Sequence, residues 1–166
     1  MDDGSPSRLT KYPDLVQAIG MLSIENSNLE NALCFLLSSL LAIDFEVAQA
    51  IYFSPKGQMA RMDMIRNVCA LGAHTRHKKT ISIIMERARK VFDRRHVLLH
   101  ADWGEEREYE GDELLFKGPS YLDRPHGKTI RIEAQSINAT IQSARKVRQD
   151  AFELASAMRA ARRIAK

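Results

Sequence analysis

Apolar residues recur in the first third of the chain at alternating steps of four and three: Leu15, Ile19, Leu22, Asn26, Leu29, Leu33, Leu36 and Leu40. That spacing keeps one stripe on one side of a helix, so it predicts a long amphipathic helix with a coiled-coil-like seam. Pro13 suits its first turn. Asn26 is the polar exception on the seam and reads as a register-setting residue, with Glu30 one turn further on. Asp44 is expected to cap a short second helix ending near Phe53, and Ser54-Pro55-Lys56-Gly57 reads as a loop. Met59, Met62, Ile65, Val68, Cys69 and Leu71 mark a third helix, closed by a turn within residues 72–77. Residues 79–101 carry a fourth, with Ile81, Ile84, Met85, Ala88, Val91, Phe92, Leu98 and Leu99 as its inner face.

The period changes after Trp103-Gly104. Residues 105–117 hold Tyr109, a turn at Glu110-Gly111-Asp112, then Leu114-Leu115-Phe116. Gly118, Pro119, Pro125 and Gly127 punctuate the next ten residues, and Thr129-Ile130-Arg131-Ile132 alternates as a strand does. A small antiparallel β-element is predicted over about residues 105–132. Ser136 can cap a last helix whose inner face is Ile137, Ile141, Ala144, Val147, Ala151, Leu154, Ala155 and Met158. The expected fold class is mainly α: an antiparallel up-and-down helical bundle with a small β-hairpin insertion before the last helix. Residues 1–12 form a flexible lead-in, and residues 13–166 form one domain.

At 166 residues with 45% hydrophobic and 28% charged positions, the chain is long enough for one well-sized core. The net charge of +4 matters less than its placement. Residues 76–95 hold eight Arg or Lys against Glu86 and Asp93. Residues 145–166 hold seven against Asp150 and Glu153, and residues 102–114 hold seven acids against Arg107. That polarity suits a basic surface facing phosphate and an acidic one facing a partner, or else solvated helix faces. Cys34 and Cys69 each lie in an apolar helical run, without metal-like spacing, and read as a reduced, buried pair. The polar N-terminus reads as no secretory signal. The longest apolar run, residues 32–43, is interrupted by Ser38 and Ser39 and is too short to span a bilayer. A cytoplasmic protein without a membrane partner is expected.

Candidate chemistry concentrates where the fourth helix ends. Arg95 follows Val91 by one turn, so its guanidinium lies near the apolar face and needs an anion. Glu30, Asp102 or a phosphate would serve. His96 follows Phe92 by one turn and His100 follows His96, so the two imidazoles share a stripe. Arg95 and His100 are about 140° apart on an ideal helix. They border one groove without bonding each other, so a site using both opens at the helix end or is completed by a second copy. Histidine, with a reference pKa of about 6.5, can take the proton from a ribose 2′-hydroxyl. Arginine and a second histidine can stabilise the charge that grows on phosphoryl oxygens.

The run Arg95-His96-Val97-Leu98-Leu99-His100 resembles the R-x4-6-H motif of the HEPN family, helical domains of many prokaryotic toxin and antiviral ribonucleases. His96 stands in the polar place after the arginine. Ala101-Asp102-Trp103 is similar to the His-Gly-x-Trp ending of bacterial relatives, with Ala101 where glycine is common. The resemblance covers about residues 13–103 and the last helix. It implies a metal-independent endoribonuclease that cuts RNA by 2′-hydroxyl attack and leaves a cyclic phosphate. Arg95, His96 and His100 would be catalytic, with Glu30 and Asp102 supporting. It implies a homodimer whose two motifs face one cleft, RNA as partner and, for a toxin, an antitoxin.

Other readings compete. A zinc site on His96-x3-His100 would want a third ligand such as Asp102, and His74-x2-His77 is a second pair, in a basic turn. No H-E-x-x-H, Gly-rich phosphate loop or G-x-S-x-G is present, and no metal or cofactor is expected. The main alternative is a non-catalytic helical dimer that binds protein or RNA, with Trp103 closing the bundle.

Overall fold

The seam of the first segment is buried nearly throughout, and it organises everything else. In the computed structural model, which describes residues 12–71, 75–100, 102–105, 114–117, 129–132 and 134–164, most of these residues are helical. The helices are α1 (Pro13–Leu41), α2 (Phe45–Phe53), α3 (Gln58–Ala70), α4 (Lys78–Leu99) and α5 (Ala134–Ile164). Pro13 opens α1, where its missing N–H costs nothing. Leu15, Leu22, Asn26, Leu29, Leu33, Leu36 and Leu40 are all buried. Each fully buried leucine contributes roughly 1.5–3 kcal/mol relative to exposure.

α1 stops at Ala42, which adopts the left-handed conformation at φ 57° and returns its N–H to the Ser38 carbonyl. The chain then bends by 114° into α2. Gly57, at φ 96°, makes the turn into α3 that a side chain would resist. Among the described residues no single helix is long and apolar enough to cross a membrane. Cys34 and Cys69 are both buried, and burial pushes the Cys34 thiol up to about 12.

The direction of the long helices follows from what each end touches. Residues 29–40 of α1 share a core cluster with residues 81–92 of α4 and 144–158 of α5. A smaller cluster joins Leu15, Ala18 and Leu22 of α1 to Leu98 of α4 and to Ile132, Ile137 and Ile141. Thus α4 runs antiparallel to both α1 and α5, while α1 and α5 run parallel. Along the chain the three long helices thus alternate in direction, which brings the first and last of them side by side in the same sense.

Between α4 and α5 the backbone pairs as three short strands, β1 (Asp102–Glu105), β2 (Leu114–Lys117) and β3 (Thr129–Arg131), antiparallel in that order. Residues 106–113 and 118–128, which the expected hairpin insertion requires, lie outside the described residues. So does the expected lead-in, apart from Tyr12. Two local expectations need correction. Ser136 is not the cap of the last helix, because α5 begins at Ala134 and takes Ser136 into its first turn. Leu99 is 38% exposed, whereas Leu98 is fully buried. The smaller cluster lies toward Ile132 and Ile137, and as α4 ends it takes in Leu98, with Val97 packed partly against it.

Candidate active site at the end of the fourth helix

The two apolar clusters are separated by a polar level. On α1 that level holds Glu25 and Asn26, between Leu22 and Leu29, and both are buried. On α4 it holds Arg95, between Phe92 and Leu98. From α5, Arg145 Nε and Arg148 Nη1 each donate to a different Glu25 carboxylate oxygen at 2.8 Å. Burial raises the Glu25 pKa. The hydrogen bond from Arg145 and the charges of both arginines outweigh that, leaving the carboxyl below its ordinary value.

The rest of the level is not satisfied in this way. Arg95 is half-buried, and its Nε finds no hydrogen-bond partner among the described residues. The Asn26 Oδ1, equally buried, finds none either. A buried donor or acceptor without a partner costs about 1–3 kcal/mol. From the residue after Arg95 onward, the chemistry is open to solvent. His96 and His100 are exposed, with ring centroids 4.5 Å apart and planes inclined by 48°. His100 follows the last residue of α4, and its N–H closes onto the His96 carbonyl at 3.1 Å. Arg95 is thus anchored in the bundle while the imidazoles project from its end.

Glu30 is not part of this level. Its carboxylate pairs with Arg61 of α3 at 2.8 Å, beside Tyr52 and Cys34. Glu30 lies a turn further along α1 than Asn26, which points it at α3. The expectation that it supports Arg95 is therefore corrected. Asp102 lies in β1 with its backbone opposite Lys117, and its side chain is outside the described residues. Glu25 is the acid at the motif's level, and it was legible. Leu22, Glu25 and Leu29 repeat the three-four spacing of the seam, and a carboxylate on an apolar stripe demands a cation.

The basic tail is also mostly engaged within the fold. Besides Arg145 and Arg148, Arg159 donates to Ser38 and Ser39 at 2.7 and 3.0 Å, and its guanidinium lies 4.1 Å from the Phe35 ring centroid. Arg162 donates to the Leu40 carbonyl at 3.1 Å. These arginines satisfy the polar end of α1, where last-turn carbonyls lack helical partners. The end of α5 therefore docks on α1, and these four residues serve the fold rather than a phosphate-facing surface or a solvated face. Among the described residues, no group of three or more His, Cys, Asp or Glu is placed to hold a metal ion.

Comparison with protein-family models, with curated proteins and with solved structures gave no match to this chain.

Proposed function

We propose that this protein is a HEPN-like, metal-independent endoribonuclease of the toxin or antiviral kind. The observation that carries the reading is the exposed His96–His100 pair beside Arg95, whose Nε is held in the bundle without a hydrogen-bond partner among the described residues. A ribose 2′-hydroxyl would give its proton to His100 and attack the adjacent phosphorus. The 5′-oxygen leaves, and a 2′,3′-cyclic phosphate remains. Arg95 would meet the phosphoryl oxygens, and His96 would assist by hydrogen bonding or by protonating the leaving oxygen. The arginine and the histidines diverge around α4, so a second copy would complete the cleft. The β-element is read as an insertion that borders that cleft.

The test is cleavage of varied RNAs by the purified protein in EDTA, beside His100→Ala. Cyclic phosphate ends that disappear in the variant support the reading. A folded protein that leaves all of them intact removes it.

A second reading, a non-catalytic helical dimer, is favoured by one observation. α2 and its neighbours leave Leu41, Val47, Ile51, Phe53 and Met59 at least 37% exposed. Exposed apolar groups in one region suit a contact with protein, whether a second copy or an antitoxin.

A further inference from the structure

α4 and α5 leave a groove of about 380 Å³ along their shared flank. Arg87, Lys90 and Arg94 line it from α4 at steps of three and four, Thr140 and Ser143 from α5, and Val147 forms part of the floor. No acid lines it among the described residues. Arg87 is tied to Asp150 across the groove end. Lys90 meets Glu86 at 3.1 Å, but both side chains are well exposed, and such a pair is weak enough to yield to a better anion. Arg94 is half-buried and makes no ion pair among the described residues.

We infer that this groove binds the sugar–phosphate backbone of single-stranded RNA, which rests on the RNA-directed reading above and names how that RNA is held. The cationic row from Arg87 to Arg94 covers about 10 Å of helix, which is long for one phosphate and suits successive phosphates of a strand. No aromatic side chain lines it among the described residues, so it is read as a groove for the backbone rather than the bases. The hydroxyls carry the second part of the argument. Thr140 donates to the Ser136 carbonyl at 3.2 Å and Ser143 to the Ala139 carbonyl at 3.0 Å. Their hydrogens are committed to the helix, so their lone pairs face outward as acceptors. A phosphate oxygen cannot use them, but a ribose 2′-hydroxyl can donate to them, and that group distinguishes RNA from DNA.

The groove is set apart from the histidines. Around α4, His96 stands about 160° and His100 about 120° from Arg94. Binding and cleavage are therefore separable by substitution.

The experiment is fluorescence anisotropy of a labelled oligouridine strand, and of its deoxy counterpart, over a range of salt. Lys90→Ala with Arg94→Ala should weaken RNA binding about tenfold and reduce the slope of log affinity against log salt by about 1.4, ~0.7 for each phosphate no longer neutralised. Thr140→Val with Ser143→Ala should narrow the preference for RNA over DNA and leave the salt slope unchanged. Circular dichroism confirms that the variants are folded, and Arg87 is left alone because it holds Asp150. Unchanged affinity and slope in the Lys90/Arg94 variant overturn the inference, even if the protein cuts RNA. Groove-dependent binding by a protein that cuts nothing upholds the inference and removes the ribonuclease reading. Absence of RNA binding by the unmodified protein overturns both.

Discussion

Two sides of one polar level behave differently. Toward α5, Glu25 is buried against two guanidinium groups, and each of its carboxylate oxygens accepts from one of them. Elsewhere on that level, Arg95 of α4 and Asn26 of α1 each keep a buried polar atom without a hydrogen-bond partner among the described residues. The same bundle, at the same height, completes one arrangement and leaves the other open. A polar group that serves only folding is normally paired, because the unpaired state costs stability and brings nothing in return. The satisfied side is read as structural, and the open side as where a phosphate is to be met.

The largest effect expected from this contrast is on catalysis. Arg95→Met and His100→Ala should each lower RNA cleavage in EDTA by about 100-fold or more, as loss of a charge-stabilising or proton-transferring group does. Arg95→Met should leave the thermal midpoint unchanged or raise it, because it removes an unpaired donor while keeping the aliphatic volume. A clear loss of stability in Arg95→Met would show that the open side is structural after all.

Next in size is the satisfied side. Glu25→Ala leaves Arg145 and Arg148 facing each other without an anion. Removing one partner of a buried pair costs about 3–5 kcal/mol. Both guanidinium groups are about a third exposed or more, so solvent screens part of that, and a loss of about 2 kcal/mol in urea unfolding is expected. A loss below about 0.5 kcal/mol, the range of ordinary surface substitutions, would make the level equally dispensable on both sides.

A smaller gain is expected at Asn26. Asn26→Leu replaces an unpartnered acceptor on a leucine seam and should stabilise the fold by about 1 kcal/mol, measured by the same unfolding. Destabilisation would mean that Asn26 holds a partner in solution, and a further drop in cleavage would place that partner at Arg95.

The smallest effect is a pH dependence. The Glu25 pKa is lower in the folded than in the unfolded chain. Its stabilisation is therefore complete above the unfolded value of about 4.3 and is lost as pH falls through the lower folded value. Urea midpoints measured downward from about pH 5 should fall in that window, and the fall should be shallower in Glu25→Gln. Parallel curves would assign the acid sensitivity to other carboxylates.

Much of the fold was legible along the chain because it depends on local periodicity. The stripe from Leu15 to Leu40, the face of α5, the short α2 after Asp44 and the loop before α3 follow from spacing and turn chemistry, whereas, of the positions that marked α3, Met62, Ile65 and Cys69 are buried and Met59 and Leu71 are exposed. The four-residue step from Val91 to Arg95 also turned the arginine toward the buried stripe, where its Nε lies. Partners were not legible. Glu30 and Glu25 are both acids beside the α1 seam, separated by little more than one turn. Which of them faces α3 and which faces α5 depends on how three helices are arranged around α1.

The sequence by itself determined which segments are helical, which stripe each buries and where an arginine–histidine motif ends α4, because 3.6-residue periodicity is a property of neighbours in the chain. Only the tertiary structure decided that α1 and α5 run parallel, that four arginines of the basic tail serve α1, and that Glu30 answers Arg61. It alone also made the α4–α5 groove. These pairings join residues more than thirty, and in most cases over a hundred, positions apart. Their energies depend on burial and distance in the assembled fold, which no local pattern contains.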